Sequence, residues 1–246
     1  MKKVLGFIVV LLFAAILICL VGFVNRDIED ITVNPPAVEA NAEEQEIDYL
    51  VLVNKQNRLP DDWESKVQLA TDIDIDGDEV QVEKEALEKY HELRNALLEE
   101  GIDIELDSCY RSVAAQQDLW DRFTEEYGES YVKQYVAVPG YSEHHTGLAI
   151  DICIIKDGVV IDDNDDMIAE REIFSRIHAK LADYGFILRY LEGRDDVTGY
   201  AYEPWHIRYV GSVDVAKDIM ESNITLEEYL AQFEVKYSFY TPHKGK

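Results

Sequence analysis

Ser142-Glu-His-His-Thr-Gly-Leu-Ala-Ile-Asp-Ile-Cys-Ile-Ile155 joins a polar loop bearing two histidines to a run that reads as a β-strand. From Leu148 to Ile155 only Asp151 is charged, and Asp157-Gly158 follows as a turn. Asp151 alternates with Ala149 and Cys153 on one face of that strand. Gly147 lets the chain turn, so His144 from the loop and Asp151 from the strand can reach one ion. A second strand, Trp205 to Val210, brings His206. Glu203 lies three residues before it, and Pro204 bars Glu203 from an ordinary helical position.

Working outward, Tyr49 to Val53 reads as a buried opening strand and Ile102 to Leu106 as another. Glu83 to Glu100 is a helix with Leu87, Tyr90, Leu93 and Leu97 on one face, stopped by Gly101. Ser112 caps a helix through Leu119, Trp120 and Phe123 to Gly128. Ala169 to Tyr184 is amphipathic, with Ile173, Ile177 and Leu181 inward and Gly185 at its end. Thr225-x-x-Glu228 is a capping box for a last short helix. Asp72-x-Asp74-x-Asp76-Gly77-x5-Glu83 matches a calcium loop, but no convincing helix precedes it. Ile73 and Ile75 against Val80 and Val82 fit a hairpin, which is preferred, with weak calcium binding as the other reading. Strands and helices mix without a βαβ rhythm or repeats. The expected fold is α+β, a mainly antiparallel sheet with flanking helices, in a single catalytic domain behind an N-terminal transmembrane helix.

That helix is read from Val4 to Val24, which contains no charge and is long enough to span a bilayer. Lys2 and Lys3 before it keep the N-terminus cytoplasmic and place the rest outside, as a single-pass protein of the cell membrane. A cleaved signal peptide is the rival reading, but Ala40-Asn41-Ala42, the small-x-small candidate, lies far downstream. Ile18 before Cys19 argues against a lipid-modified cysteine. The expected division is 1–25 tip and anchor, 26–47 flexible acidic stalk around Pro35-Pro36, 48–232 catalytic domain and 233–246 tail. Net charge is −27, and the first 26 residues are basic, so the remainder is more acidic still. That disfavours a nucleic-acid partner and reads as a solvated surface.

His144, Asp151 and His206 together supply two imidazoles and a carboxylate, the ligand set of a hydrolytic zinc site with one open position. Glu203 is the spare carboxylate, placed to take a proton from a water whose pKa zinc lowers to roughly 7. His145 is the alternative to His144, with a spacing to Asp151 that fits less well. His91, His178 and His243 read as surface or core residues.

Ser142-Glu-His-His-Thr-Gly-Leu-Ala-Ile-Asp151 and Thr198-Gly-Tyr-Ala-Tyr-Glu-Pro-Trp-His-Ile-Arg-Tyr-Val-Gly211 resemble the VanY-type D-alanyl-D-alanine carboxypeptidases, zinc peptidases that trim bacterial cell-wall peptides. Ser108-Cys-Tyr-Arg-Ser112 with Gln116, and Leu52-Val-Asn54 with Leu59-Pro60, extend the resemblance from about Tyr49 to Leu230. It implies zinc ligands His144, Asp151 and His206, base Glu203, substrate-binding or polarising Arg111, and a pocket lined by Ser142 and Gln116. A guanidinium suits a substrate that ends in a carboxylate and develops an oxyanion. Cys109 departs from the family, which usually has glycine there. In an exported domain Cys109 and Cys153 either form a disulfide or pack as buried thiols. The implied activity is removal of the terminal D-alanine from peptidoglycan stem peptides. The rivals are an L,D-carboxypeptidase acting on tetrapeptides, a cytoplasmic D,D-dipeptidase and a non-catalytic wall-binding module.

Overall fold

Eight residues, Ala149–Lys156, form the strand on which the molecule is organised. Ile150, Ile152 and Ile154 point into the main core, while Ala149, Asp151 and Cys153 take the opposite face. The computed structural model describes residues 47–130, 132 and 136–238. The apolar run expected to span a membrane, the acidic stalk before Ile47 and His243 lie outside the described residues. Among the described residues no helix is long and apolar enough to cross a membrane.

The strands are β1 (Leu69–Ile73), β2 (Glu79–Glu83), β3 (Asp103–Ser108), β4 (Ala149–Lys156), β5 (Val159–Ile161), β6 (Phe186–Tyr190) and β7 (Glu203–Tyr209). β1 and β2 make a hairpin, and the others make a second sheet in the order β3-β4-β7-β6, with β5 on the outer half of β4. Every pairing is antiparallel, as the mixed pattern of the sequence predicts. The longer helices are α1 (Lys84–Glu99), α2 (Val113–Tyr127), α4 (Arg171–Leu181), α6 (Val213–Ser222) and α7 (Leu226–Ser238), with short α3 (Asn164–Ala169) and α5 (Asp195–Thr198) between them.

α1 buries the predicted stripe Leu87, Tyr90, Leu93 and Leu97 against Ile104, Leu106 and the isoleucines of β4. Each such side chain contributes roughly 1.5–3 kcal/mol on leaving water. α6 and the start of α7 cover the other side of β6 through Ile187, Val210, Ala216, Ile219 and Leu226. The capping box forms as read: Thr225 N donates to Glu228 Oε2 at 2.9 Å and Glu228 N to Thr225 Oγ1 at 3.1 Å. The helix it starts is longer than expected and runs to Ser238.

Two readings change. Tyr49 to Val53 is not a strand. Val51 and Val53 are buried as expected, but Arg208 takes the carbonyls of Tyr49 and Val51, both at 3.0 Å, in place of a sheet neighbour. The acidic repeat is the preferred hairpin with a shifted register: Val82 faces Ala70 and Val80 faces Asp72. Asp74 Oδ1 accepts the amides of Asp76 and Asp78, closing the turn on itself. The hairpin docks where it supports the site: Ile75 N donates to Leu106 O, Tyr110 N to Gln81 O, and Glu83 N to Gly147 O.

Candidate metal centre

The second sheet places two site residues side by side, because Asp151 of β4 pairs directly with His206 of β7. The third comes from the 3₁₀ turn Glu143–Thr146 that leads into β4. Gly147 ends this turn with φ +73°, and a Cβ there would lie 2.9 Å from Leu69 Cδ2 and 3.3 Å from Glu83 N. The loop can therefore sit against the hairpin only with glycine at this position.

His144 Nε2 lies 3.2 Å from Asp151 Oδ2, and His206 Nδ1 lies 2.9 Å from Asp151 Oδ1. The three donor atoms fall within 4.8 Å of one another, the one such grouping among the described residues. Bonds of about 2.0–2.1 Å at tetrahedral angles put ligand atoms roughly 3.3 Å apart, which these separations match. The contact of Asp151 Oδ1 with His206 lacks hydrogen-bond alignment and leaves that buried oxygen unsatisfied. An unsatisfied carboxylate oxygen facing an imidazole nitrogen is what a shared cation resolves, so the donor set fits zinc.

Each imidazole is held by its other nitrogen. His144 Nδ1 bonds the Cys109 carbonyl at 2.8 Å, and His206 Nε2 meets Glu143 Oε2 at 3.1 Å. Burial alone lowers the His206 pKa, but the carboxylates of Asp151 and Glu143 outweigh it and push it up to about 10. Burial opposes ionisation of Asp151, yet His144 and His206 hold its carboxyl well below the usual range. Glu203 Oε2 lies 3.8 Å from His206 Nδ1. Burial pushes the Glu203 carboxyl up to about 7, against the pull of His206 and with a further push from Asp151 and Glu143.

These groups open into a cleft of about 240 Å³ that also contains Arg111, Gln116, Ser142, Tyr190 and Trp205. Arg111 is set by two hydrogen bonds, Nη1 to Gln116 Oε1 at 2.9 Å and Nη2 to Ser108 Oγ at 2.8 Å. Gln116 is fixed in turn by Ala137 O at 2.8 Å. Leu119 and Phe123 of α2 line the facing wall, beside Val136 and Ala137. All seven residues singled out in the sequence thus border one cleft. His145 does not face the ion-binding atoms: its Nδ1 contacts Arg111 O at 2.5 Å and its Nε2 accepts from Gly140 N at 3.0 Å, so it braces the Arg111 segment.

Sequence reading missed Glu143, Arg189, Arg208 and Asp107. Glu143 is fully buried and bonded to Arg189 Nε (2.7 Å) and Arg208 Nη1 (2.6 Å). Burial opposes its charge, but Arg189, Arg208 and His206 hold its carboxyl well below the usual carboxylate range. Asp107 lines the cleft, and burial with the charge of Asp151 pushes it up to about 6. Cys109 and Cys153 are free and buried. Cys153 pairs with Glu105 and Asp151 with Ser108, which separates the two cysteines by roughly 10 Å along the strand, beyond disulfide reach.

Comparisons with known proteins point to one family. The profile of the VanY family, described as D-alanyl-D-alanine carboxypeptidase, matches residues 79–212. The bifunctional D-Ala-D-Ala dipeptidase and carboxypeptidase VanXYC of Enterococcus gallinarum is 42% identical over 134 residues, covering 52% of this chain and 66% of that protein. YodJ of Bacillus subtilis strain 168 is 37% identical over 184 residues, covering 73% of this chain and 66% of its own length. The chain therefore spans just under two thirds of these curated relatives. Among solved structures, a mutant of the D,D-pentapeptidase VanY with Zn(II) superposes with TM-score 0.60 at 30% identity, covering 75% of this chain and 99% of that one. The LD-carboxypeptidase LdcB superposes with TM-score 0.62 at 35% identity, covering 74% and 86%. On its motifs, its sheet and these matches, the chain belongs to the VanY family of D-alanyl-D-alanine carboxypeptidases.

Proposed function

We propose that the protein is a zinc-dependent D,D-carboxypeptidase that removes the terminal D-alanine from peptidoglycan stem peptides. The observation that carries this reading is the convergence of His144, Asp151 and His206 beside a buried spare carboxylate, Glu203, in a cleft that also holds an oriented guanidinium. His144 Nε2, the Asp151 carboxylate and His206 Nδ1 would hold the ion. When bound, zinc supplies Lewis acidity to the scissile carbonyl and to water.

The chain's own groups do the rest. Glu203, 3.8 Å from His206, takes the proton of the attacking water and delivers it to the leaving amine. Its raised pKa suits both halves of that task, since a group near neutrality gives and takes protons with equal ease. Arg111, anchored by Ser108 and Gln116, meets the terminal carboxylate or the developing oxyanion with paired hydrogen bonds. Ser142 lines the same cleft and contacts substrate. Leu119 and Phe123 give the cleft an apolar wall against which the stem peptide can lie.

The apolar run from Val4 to Val24 supports a single-pass anchor that holds this unit outside the cell, with residues 48–232 as the catalytic domain between stalk and tail. The likeness to LdcB, named an LD-carboxypeptidase, favours L,D activity as the second reading. Mass spectrometry of products from the full-length, zinc-loaded protein separates the two, with Glu203→Ala as the control. Loss of one residue from a pentapeptide stem alone is the expected result. Loss from a tetrapeptide stem alone moves the enzyme to the L,D class, and no cleavage of either refutes the carboxypeptidase reading.

A further inference from the structure

A carboxylate buried behind a metal ligand needs a reason, because a charged side chain taken out of water is costly unless it is fully paired. Glu143 stands between Ser142 and His144 with none of its side chain exposed. Its Oε1 accepts from Arg189 Nε and Arg208 Nη1. Its Oε2 meets His206 Nε2 alone, at 3.1 Å.

The remaining nitrogens of both arginines are engaged elsewhere. Arg189 makes a forked pair with Glu227 of α7, at 2.9 and 2.7 Å. Arg208 gives Nη2 to the carbonyls of Tyr49 and Val51 and Nε to Tyr209 O. Two guanidiniums and two carboxylates sum to zero, so once an ion occupies the Asp151 side of the ring the network behind it needs no imidazolium. A neutral His206 has one ring proton, and the nitrogen facing an acceptor carboxylate is where it belongs. The lone pair then falls on Nδ1, the atom turned toward Asp151 and Glu203.

We propose that Glu143 is the positioning residue of the metal centre. It fixes His206 as the Nε2–H tautomer, presents Nδ1 to the ion, and is itself held by a charge relay through Arg189 to Glu227 on α7. This rests on the reading of His206 as a zinc ligand and extends it to what orients that ligand.

Two measurements on the full-length protein test it. Long-range proton–nitrogen NMR of the zinc-loaded wild type reads the His206 ring directly. Zinc competition against a chromophoric chelator compares wild type, Glu143→Gln and Glu227→Gln, each checked for folding by circular dichroism. The expected result is a proton on Nε2 with the metal on Nδ1. Zinc affinity falls by roughly 10–100-fold in Glu143→Gln and by less in Glu227→Gln, which disturbs the same arginine without touching the imidazole. Metal on Nε2, unchanged affinity in a folded Glu143→Gln, or equal losses in both variants overturns the inference. If Glu143→Gln does not fold, the wild-type NMR decides alone. Failure of the wild type to take up zinc overturns the ligand reading as well, and so is distinguishable from failure of this step.

Discussion

Glu203 and His206 are three residues apart on one strand, yet their surroundings give them opposite tendencies. Burial disfavours the Glu203 charge, while flanking carboxylates favour the His206 charge. Glu203→Ala should lower kcat by roughly 10²–10⁴-fold and leave zinc uptake intact, as checked by stopped-time product assays beside a metal titration. The Nδ1 proton of His206 competes with the ion. With a pKa of about 10 in the metal-free fold, each unit of pH lowered below that value should weaken zinc binding about tenfold, one proton being displaced per ion. A flat affinity between mildly acidic and mildly alkaline buffer would refute this. At this scale the sequence was legible where chemistry is local, at His144, Asp151, Glu203 and His206. Glu143 lies within the same motif and gives no such signal, because its partners Arg189 and Arg208 arrive from β6 and β7, far along the chain. A buried charge has no local signature, since only the pairing makes its burial tolerable.

Among the elements, the longest amphipathic helices and β4 were plain because their apolar periods are strong, and β6 was not. All five of its residues are buried, Arg189 among them, so no alternation marks it as a strand. Tyr49 to Val53 failed for the converse reason: its apolar pattern is real, but a guanidinium rather than a neighbouring strand satisfies its backbone. The capping box at Thr225 shows how much a short motif can fix. Thr225→Ala should destabilise the protein by about 1 kcal/mol through loss of the cap, read from the denaturant midpoint. Gly147→Ala should cost more than the roughly 1–2 kcal/mol of a left-handed backbone alone, because its Cβ meets the hairpin. Thermal melts of the two variants side by side test that order.

For the whole molecule, metal removal and pH act on the same buried charges. Glu143 and Asp151 are held below their ordinary range, so their stabilisation is present above about pH 4 and is lost as the solution becomes more acidic. His206 is raised, so its contribution in the metal-free protein is complete below its ordinary 6.5 and is lost as pH rises through about 10. The metal-free form should therefore melt highest between about pH 4 and 6.5. Free zinc at a thousand times Kd should add about 4 kcal/mol near neutrality and remove the alkaline decline. Calorimetry with and without chelator measures both effects. The α+β class was legible at this scale because mixed strand and helix signals without βαβ rhythm leave few alternatives. The strand order was not, since nothing local tells β7 to lie between β4 and β6.

Cys109 and Cys153 have a practical consequence for how the protein is made. Both thiols are buried, Cys153 on β4 and Cys109 just past the end of β3, and burial pushes Cys153 up to about 12 and raises Cys109 as well. Neither thiolate forms near neutrality, and no disulfide bridges the described residues. The catalytic unit can thus mature without oxidants, thiol exchange or an isomerase. Material produced in a reducing cytosol should match secreted material in activity and Tm, and dithiothreitol should change neither.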